Sequence, residues 1–320
     1  MSTTATILAG MEKKFGKGVV HQGIGGLEPL QSIPTGSVGL DKASGIGGYP
    51  RGRIVEIFGP EHSGKTTLAI HAMAEVQKTG GRVAFIDVEH SLDFGYAQTI
   101  GVNTETLFIS YPENGEQAFD VAEALIQTGE FDLIVLDSVA AIVPKAELEG
   151  DMSTQQMGLQ ARLIGKGIRK IVGRMHKTNT AFILINQLRM KIGVVFGNPE
   201  TRPGGKSLDY AASMMLEIRK TGSIKGPEDT ILGHNTKVKF TKNKCGGMPG
   251  ALVEFDIMWG TGINYLAELL DEAVTKAVIE KAGAWYSYQG ERMGQGRESA
   301  VAYLRANQGA RDSLIAALKA

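Results

Sequence analysis

At 320 residues, with 42% apolar and 21% charged side chains, the chain has room for one large domain with appendages and is too apolar to be largely disordered. Its 34 Lys/Arg and 34 Asp/Glu give zero formal net charge, which taken alone speaks against a nucleic-acid or membrane-surface partner. A single cysteine, Cys245, excludes an internal disulfide framework; with no apolar run of ~18 residues and no signal-peptide pattern in Met1 to Gly10, a cytoplasmic protein is expected.

The first 26 residues read as a short helix, a basic KKFGKG patch and a Gly-rich link. Arg53 to Phe58, Arg82 to Asp87, Phe131 to Asp137 and Thr180 to Asn186 are β-branched, apolar runs. Helical patterns lie between them at Lys65 to Lys78, Glu116 to Thr128 and Leu159 to Lys177. Continuously apolar strands between helices indicate an α/β fold with a mostly parallel sheet covered on both faces. Met214 to Arg219, Thr236 to Phe240 and Leu252 to Ile257 follow without long helices, so they are expected to extend the sheet in antiparallel fashion. From about residue 263 the character changes: helix at Leu266 to Lys281, a short strand at Trp285 to Tyr288, helices at Glu298 to Asn307 and Arg311 to Lys319. This divides the chain into an N-terminal segment (1–26), a core (27–262) and a small α+β region (263–320). Trp285, Tyr286 and Tyr288 are expected in the core of that last region.

Gly59, Pro60, Glu61, His62, Ser63, Gly64, Lys65 and Thr66 match GxxxxGK[ST] between a strand and a helix. A Gly-rich turn aims successive backbone N–H groups at phosphate oxygens, and the helix N-terminus adds its positive end. Lys65 can neutralise β/γ-phosphates, and Thr66 can place a hydroxyl on Mg²⁺. Asp137 ends the run LIVLD, where a magnesium-linked acid is wanted beside such a loop. Glu89 follows the strand RVAFID, at the edge where α/β sheets collect ligands. Position alone leaves it either a base for the attacking water or a surface ion-pair partner. Gln187 is open in the same way, between a γ-phosphate ligand and a plain strand end. Trp259 is open between an interface near nucleotide and a core.

Zero net charge hides two opposed segments. Gly158 to Leu208 holds ten Lys/Arg and one acid, Glu200, whereas Val83 to Asp151 holds fourteen acids and one base, Lys145. Arg162, Lys166, Arg169, Lys170, Arg174 and Lys177 fall within about 140° on a helix, one basic face. A Gly-rich stretch with Met190, Ile192, Val194 and Phe196 follows. A basic track plus apolar groups is what single-stranded DNA binding needs, and a solvated helix face is the open alternative.

GPEHSGKTTL, FIDVEHSLD, VLDSVAAIVPKAELEG, NQLRMKIGVVFGNPET, KNK and EKAGAWYSY together resemble the RecA family of recombinases, in order from about Lys13 to Gly296. The resemblance implies a RecA-like P-loop ATPase that uses ATP and Mg²⁺. It also implies a helical filament on single-stranded DNA, pairing with homologous duplex and strand exchange. By motif, Lys65, Thr66 and Thr67 would bind phosphates, with Thr66 on Mg²⁺ directly and Asp137 through water. Glu89 would activate water and Gln187 would sense the γ-phosphate. Asp93 and Tyr96 match adenine contacts, and Lys242 and Lys244 match lysines reaching ATP across a subunit interface. DNA would bind loops at 150–158 and 188–206. There Met157 and Ile192 match residues wedged between base triplets, Arg162, Arg169 and Arg189 match phosphate contacts, and Gly204 and Gly205 lie in the second loop. The N-terminal segment would pack on a neighbouring subunit.

The chain departs from the common pattern at His62, at Arg202-Pro203 in the second loop and in KNKCGGMPGA, while Asp209 and Tyr210 sit in the subunit-contacting stretch that follows that loop. It ends IAALKA, without the acidic tail of many members. Arg202 is expected to add charge to the loop. A ring-forming P-loop motor and a non-hydrolysing ATP-binding protein share the same core. Asn186 to Thr201 speaks against the first, and Glu89 with Asp137 against the second.

Overall fold

A computed structural model describes residues 3–16, 20, 29–150, 158–191, 197 and 199–319. The chain forms two compact units, Met1–Gln31 and Ser32–Ala320. The first holds α1 (Thr3–Phe15), which exposes Ile7, Met11 and Phe15 at four-residue spacing and therefore on one face.

In the second unit, β1 (Ser32–Ile33) and β2 (Tyr49–Pro50) pair around α2 (Val38–Ser44). Alternation follows: β3 (Ile54–Gly59), α3 (Lys65–Lys78), β4 (Val83–Asp87), α4 (Phe94–Ile100), β5 (Phe108–Ser110), α5 (Gly115–Thr128), β6 (Leu133–Asp137), α6 (Lys145–Leu148), α7 (Leu159–Thr178) and β7 (Ala181–Gln187). A two-stranded stem, β8 (Arg189–Met190) with β9 (Glu200–Thr201), leads to α8 (Gly205–Ala211). Then come β10 (Met214–Lys225), β11 (Ile231–Asn243), β12 (Leu252–Met258) and β13 (Gly262–Ile263). The large sheet has the order β13-β12-β11-β10-β3-β7-β6-β4-β5.

The parallel part is as expected, with one correction at its border. β10 runs parallel to β3, so the antiparallel extension begins only with β11. The reason is topological: α8 lies between β9 and β10 and returns the chain to the starting edge, as a crossover must. Alternate residues explain the continuous apolar runs. Val55, Ile57, Phe85, Val135 and Ile183 face the layer holding α3, while Ile54, Phe58, Ile86, Leu136 and Phe182 face the layer of α5 and α7. The α5–α7 approach depends on Gly167, where a Cβ would sit 2.3 Å from the Phe119 ring.

Residues after Ile263 build a separate core from α9 (Tyr265–Thr275), a sheet of β14 (Glu280–Ala282), β15 (Trp285–Tyr288) and β16 (Glu291–Gln295), α10 (Arg297–Ala306) and α11 (Gln308–Lys319). The helix expected to reach Lys281 stops at Thr275. The Val278 and Ile279 amides both close on the Ala273 carbonyl, at 2.9 and 3.1 Å, and Ala277 turns with φ 56°. Burying Ile279 and pairing β14 outweigh helical propensity there. Tyr286 and Tyr288 are buried as expected, but Trp285 is 42% exposed, with the Arg292 guanidinium 5.1 Å above its ring.

Glu268 of α9 is buried and accepts a 2.7 Å bond from Ser37 Oγ, while its Oε2 has no partner among the described residues. Burial pushes its carboxyl from 4.5 up to about 7; Ser37 and the Gly39 and Val38 amides pull it down, and Asp41 pushes it up. A raised folded value stabilises fully below the unfolded value near 4.5 and loses that stability as pH rises through about 7. Glu268→Gln is expected to remove this dependence and gain about 3 kcal/mol above pH 7, at about 1.36 kcal/mol per pH unit. Urea unfolding at pH 5.5 and 8 checks it: equal pH dependence in both proteins would contradict it.

Candidate active site

The parallel strands end at one edge, and register decides what meets there. Gly59 of β3 lies beside Gln187 of β7, and Asp87 of β4 beside Asp137 of β6. Outside this edge is a cavity of about 950 Å³.

The turn from β3 to α3 contains Gly64 at φ 99°, a conformation that L side chains rarely adopt. No side chain caps α3, so its first amides are left for a ligand to satisfy. Ser63 Oγ donates to the Pro60 carbonyl at 2.8 Å, and so does Lys65 Nζ at 2.7 Å. Burial lowers the Lys65 pKa, against the pull of Asp137, Glu89 and Glu61. A buried ammonium resting on a neutral carbonyl exchanges readily for a phosphate oxygen.

Thr66 Oγ1 donates to Asp137 Oδ2 at 2.7 Å. Burial raises the Asp137 carboxyl to about 7; the Thr66 bond and Lys65 pull it down, while Glu89 and Asp87 push it up. Glu89 Oε1 accepts from Gln187 Nε2 at 2.9 Å and from Ser138 Oγ. Asp87 accepts the Ser91 and Leu92 amides, both at 3.1 Å, and so folds the turn carrying Glu89. Among the described residues lining the cavity, Lys65 is the one lysine or arginine facing these crowded carboxylates. Among the described residues no group of three or more side chains forms a protein-only metal cage. Magnesium needs only one or two protein ligands when phosphates and water supply the rest, so Thr66 and Asp137 fit it.

Asp93 caps α4 by accepting the Tyr96 amide at 2.9 Å, and Tyr96 OH lies 3.2 Å from Thr67 Oγ1. The cavity therefore brings together Glu61, His62, Ser63, Gly64, Lys65, Thr66, Thr67, Glu89, Asp93, Tyr96, Asp137 and Gln187, with Gly59 and Pro60 at the loop's start. Trp259, left open by sequence, lines this cavity and is 53% exposed. Sequence reasoning missed Asp87, Ser138 and His234. Asp87 ends its strand just as Asp137 does, a signal that was present; His234 comes from β11 and has no local signature. Lys242 and Lys244 lie elsewhere. Lys242 Nζ donates to the Asp209 carbonyl, and Lys244 is exposed.

Of the DNA-side residues, Met157 and Ile192 lie outside the described residues, as do 151–157 and most of 192–198. Gly158 caps α7, on which Arg162, Lys166 and Arg169 are exposed. The expected single basic face is narrower than its sequence suggests. Lys170 pairs with Asp120 and Glu123 of α5, and Arg174 with Glu123. The offsetting acids sit some 50 residues away in sequence. Arg189 is exposed and donates to the Ala140 carbonyl at 2.9 Å. At the C-terminal end of the second loop, expected to run to about residue 206, Gly204 caps α8 at φ 86° and Gly205 is already helical. Arg202 adds no free charge: it pairs with buried Glu56 at 3.0 Å and with Asp209.

Family models described as the RecA N-terminal domain and the RecA C-terminal domain match residues 3–264 and 267–320. Protein RecA of Syntrophus aciditrophicus (strain SB) is 55% identical over 298 residues, 92% of this chain and 86% of that one. Protein RecA of Geobacter sulfurreducens is 53% identical over 301 residues, 93% and 88% of the two chains. That of Desulforapulum autotrophicum is 52% identical over 303 residues, 94% and 87%. With the phosphate loop, its acids and the parallel sheet in place, the chain belongs to the RecA family of recombinases.

Proposed function

We propose that ATP hydrolysis occurs in the sheet-edge cavity and that Gln187 couples it to the segment that follows. The RecA family consists of DNA-dependent ATPases, and this member is an ATP-dependent recombinase: it forms filaments on single-stranded DNA, pairs it with homologous duplex and exchanges strands in repair. The observation that carries the site assignment is the meeting, at one edge, of Lys65, the Thr66–Asp137 pair and the Glu89–Gln187 pair.

Lys65 leaves the Pro60 carbonyl for β/γ-phosphate oxygens, and the uncapped amides of α3 bind the same phosphates. Thr66 directly, and Asp137 through water, would hold magnesium, which would neutralise charge on the leaving phosphate. Glu89 takes the proton of the attacking water. Gln187 holds Glu89 when no γ-phosphate is near and turns to the γ-phosphate when one binds, which biases the segment after β7. Asp93 and Tyr96 hold the adenine, and Lys242 and Lys244 reach a neighbouring subunit's nucleotide. On the DNA side, Arg162, Arg169 and Arg189 take phosphates, and the second loop, with Gly204 and Gly205 at its C-terminal end, contacts the strand. Self-association has a candidate surface in the exposed Ile7, Met11 and Phe15 of α1.

The test is strand exchange between a single strand and labelled duplex, homologous or heterologous, with and without ATP. Product only with homologous duplex and ATP is expected. Exchange that ignores homology, or a closed ring without exchange, overturns the reading.

A further inference from the structure

A charged cluster beneath the β8–β9 stem ties together elements that the cavity alone does not connect. Glu56, in the middle of β3, is fully buried, a rare place for a carboxylate. It accepts from Asn186 Nδ2 at 2.8 Å and pairs with Arg202 Nε at 3.0 Å. Asn186 also donates to the Pro203 carbonyl at 2.9 Å, and its Oδ1 accepts the Gln187 amide at 3.0 Å. The Arg202 guanidinium lies 4.4 Å above the Phe58 ring and reaches Asp209 of α8, whose carbonyl holds Lys242. Arg202, from the loop stem, and Asp209, from α8, thus meet each other in the fold.

We propose that Arg202 is a positioning residue that locks the C-terminal stem of the second loop to the strand end carrying Gln187, so that a ligand at either is felt at the other. This rests on the reading of Gln187 as the γ-phosphate sensor. The planar fork of a guanidinium can bridge Glu56 and Asp209 while stacked on Phe58; an ammonium cannot serve both acids in that plane. Swinging Arg202 out would leave a buried carboxylate uncompensated, so the lock holds or fails rather than bending. A loop pulled by DNA therefore moves Pro203, Asn186 and the Gln187 backbone together.

The experiment uses the full chain with Arg202→Ala, Arg202→Lys, Glu56→Gln and the double Glu56→Gln/Arg202→Met, which removes both charges at once and guards against misfolding of the single variants. ATP hydrolysis is measured with and without oligo(dT), oligo(dT) affinity is measured against salt, and amide exchange is followed over 199–206 with and without AMP-PNP. Expected is at least a fivefold lower ratio of DNA-stimulated to DNA-free hydrolysis in Arg202→Ala and Arg202→Lys. The double is expected to fall no further, and AMP-PNP is expected to protect 199–206 only in the wild type. The salt slope is expected to stay unchanged. A slope shallower by about 0.7 in Arg202→Ala makes Arg202 a DNA-phosphate contact and overturns the proposal. So do a folded double with the wild-type ratio and wild-type protection in Arg202→Ala. Wild-type hydrolysis indifferent to oligo(dT) counts against the sensor reading instead, and the exchange data then judge the lock alone.

Discussion

Lys65→Ala is expected to lower ATP hydrolysis by about 10²- to 10³-fold at saturating nucleotide, the scale seen when one preorganised donor to developing charge is lost. The effect is large because the cation is buried and stands alone against Asp137, Glu89 and Glu61. Without it, the described residues lining the cavity present phosphates with carboxylates, neutral polar groups and backbone amides but no lysine or arginine. Nucleotide affinity is expected to fall as well, since the ammonium contacts phosphate in the bound state as in the transition state. Phosphate release at saturating ATP and Mg²⁺ measures the first effect and nucleotide titration the second. Turnover comparable to the wild type would remove the phosphate loop from the reaction.

Glu89→Gln separates chemistry from binding. Loss of a positioned base costs about 10²- to 10⁴-fold in turnover. The amide oxygen of the new side chain can still accept from Gln187 and Ser138, so the local geometry is expected to survive. Nucleotide affinity is therefore expected within about threefold of wild type, and strand pairing with ATP is expected to persist while product-linked turnover stops. Single-turnover hydrolysis and pairing assays on the same preparation check this. A variant that hydrolyses ATP at the wild-type rate would move the base elsewhere.

Much of this site was legible because it is local. A phosphate loop needs its glycines and lysine at fixed short spacing, and strands buried on both faces advertise themselves as apolar runs, as β4, β6 and β7 do, and β3 apart from Glu56. The residues at their ends, Asp137, Glu89 and Gln187, then fall at the edge by counting. Features set by pairing between distant segments were not legible. His234 enters the cavity through the register of β11 against β12, which no local pattern encodes. Lys170 and Arg174 looked like ligand-facing charges until α5 supplied Asp120 and Glu123. Arg202 looked like loop charge until Glu56 proved to be buried beside it. A charge run in sequence records composition, and only packing decides whether it is spent inside the molecule.

The body of β7 has a mechanical consequence. Phe182, Ile183, Leu184 and Ile185 have no exposed surface, and side chains alternate between two packed layers. Slipping by one residue would turn every one of them to the wrong face, and slipping by two would mean a travel of about 6.6 Å through a close-packed core. The strand is therefore a fixed ruler. Whatever Gln187 reports must originate at its tip, in the short stretch from Asn186 to Leu188, whose amide makes the last tie to the Gly59 carbonyl at 3.2 Å.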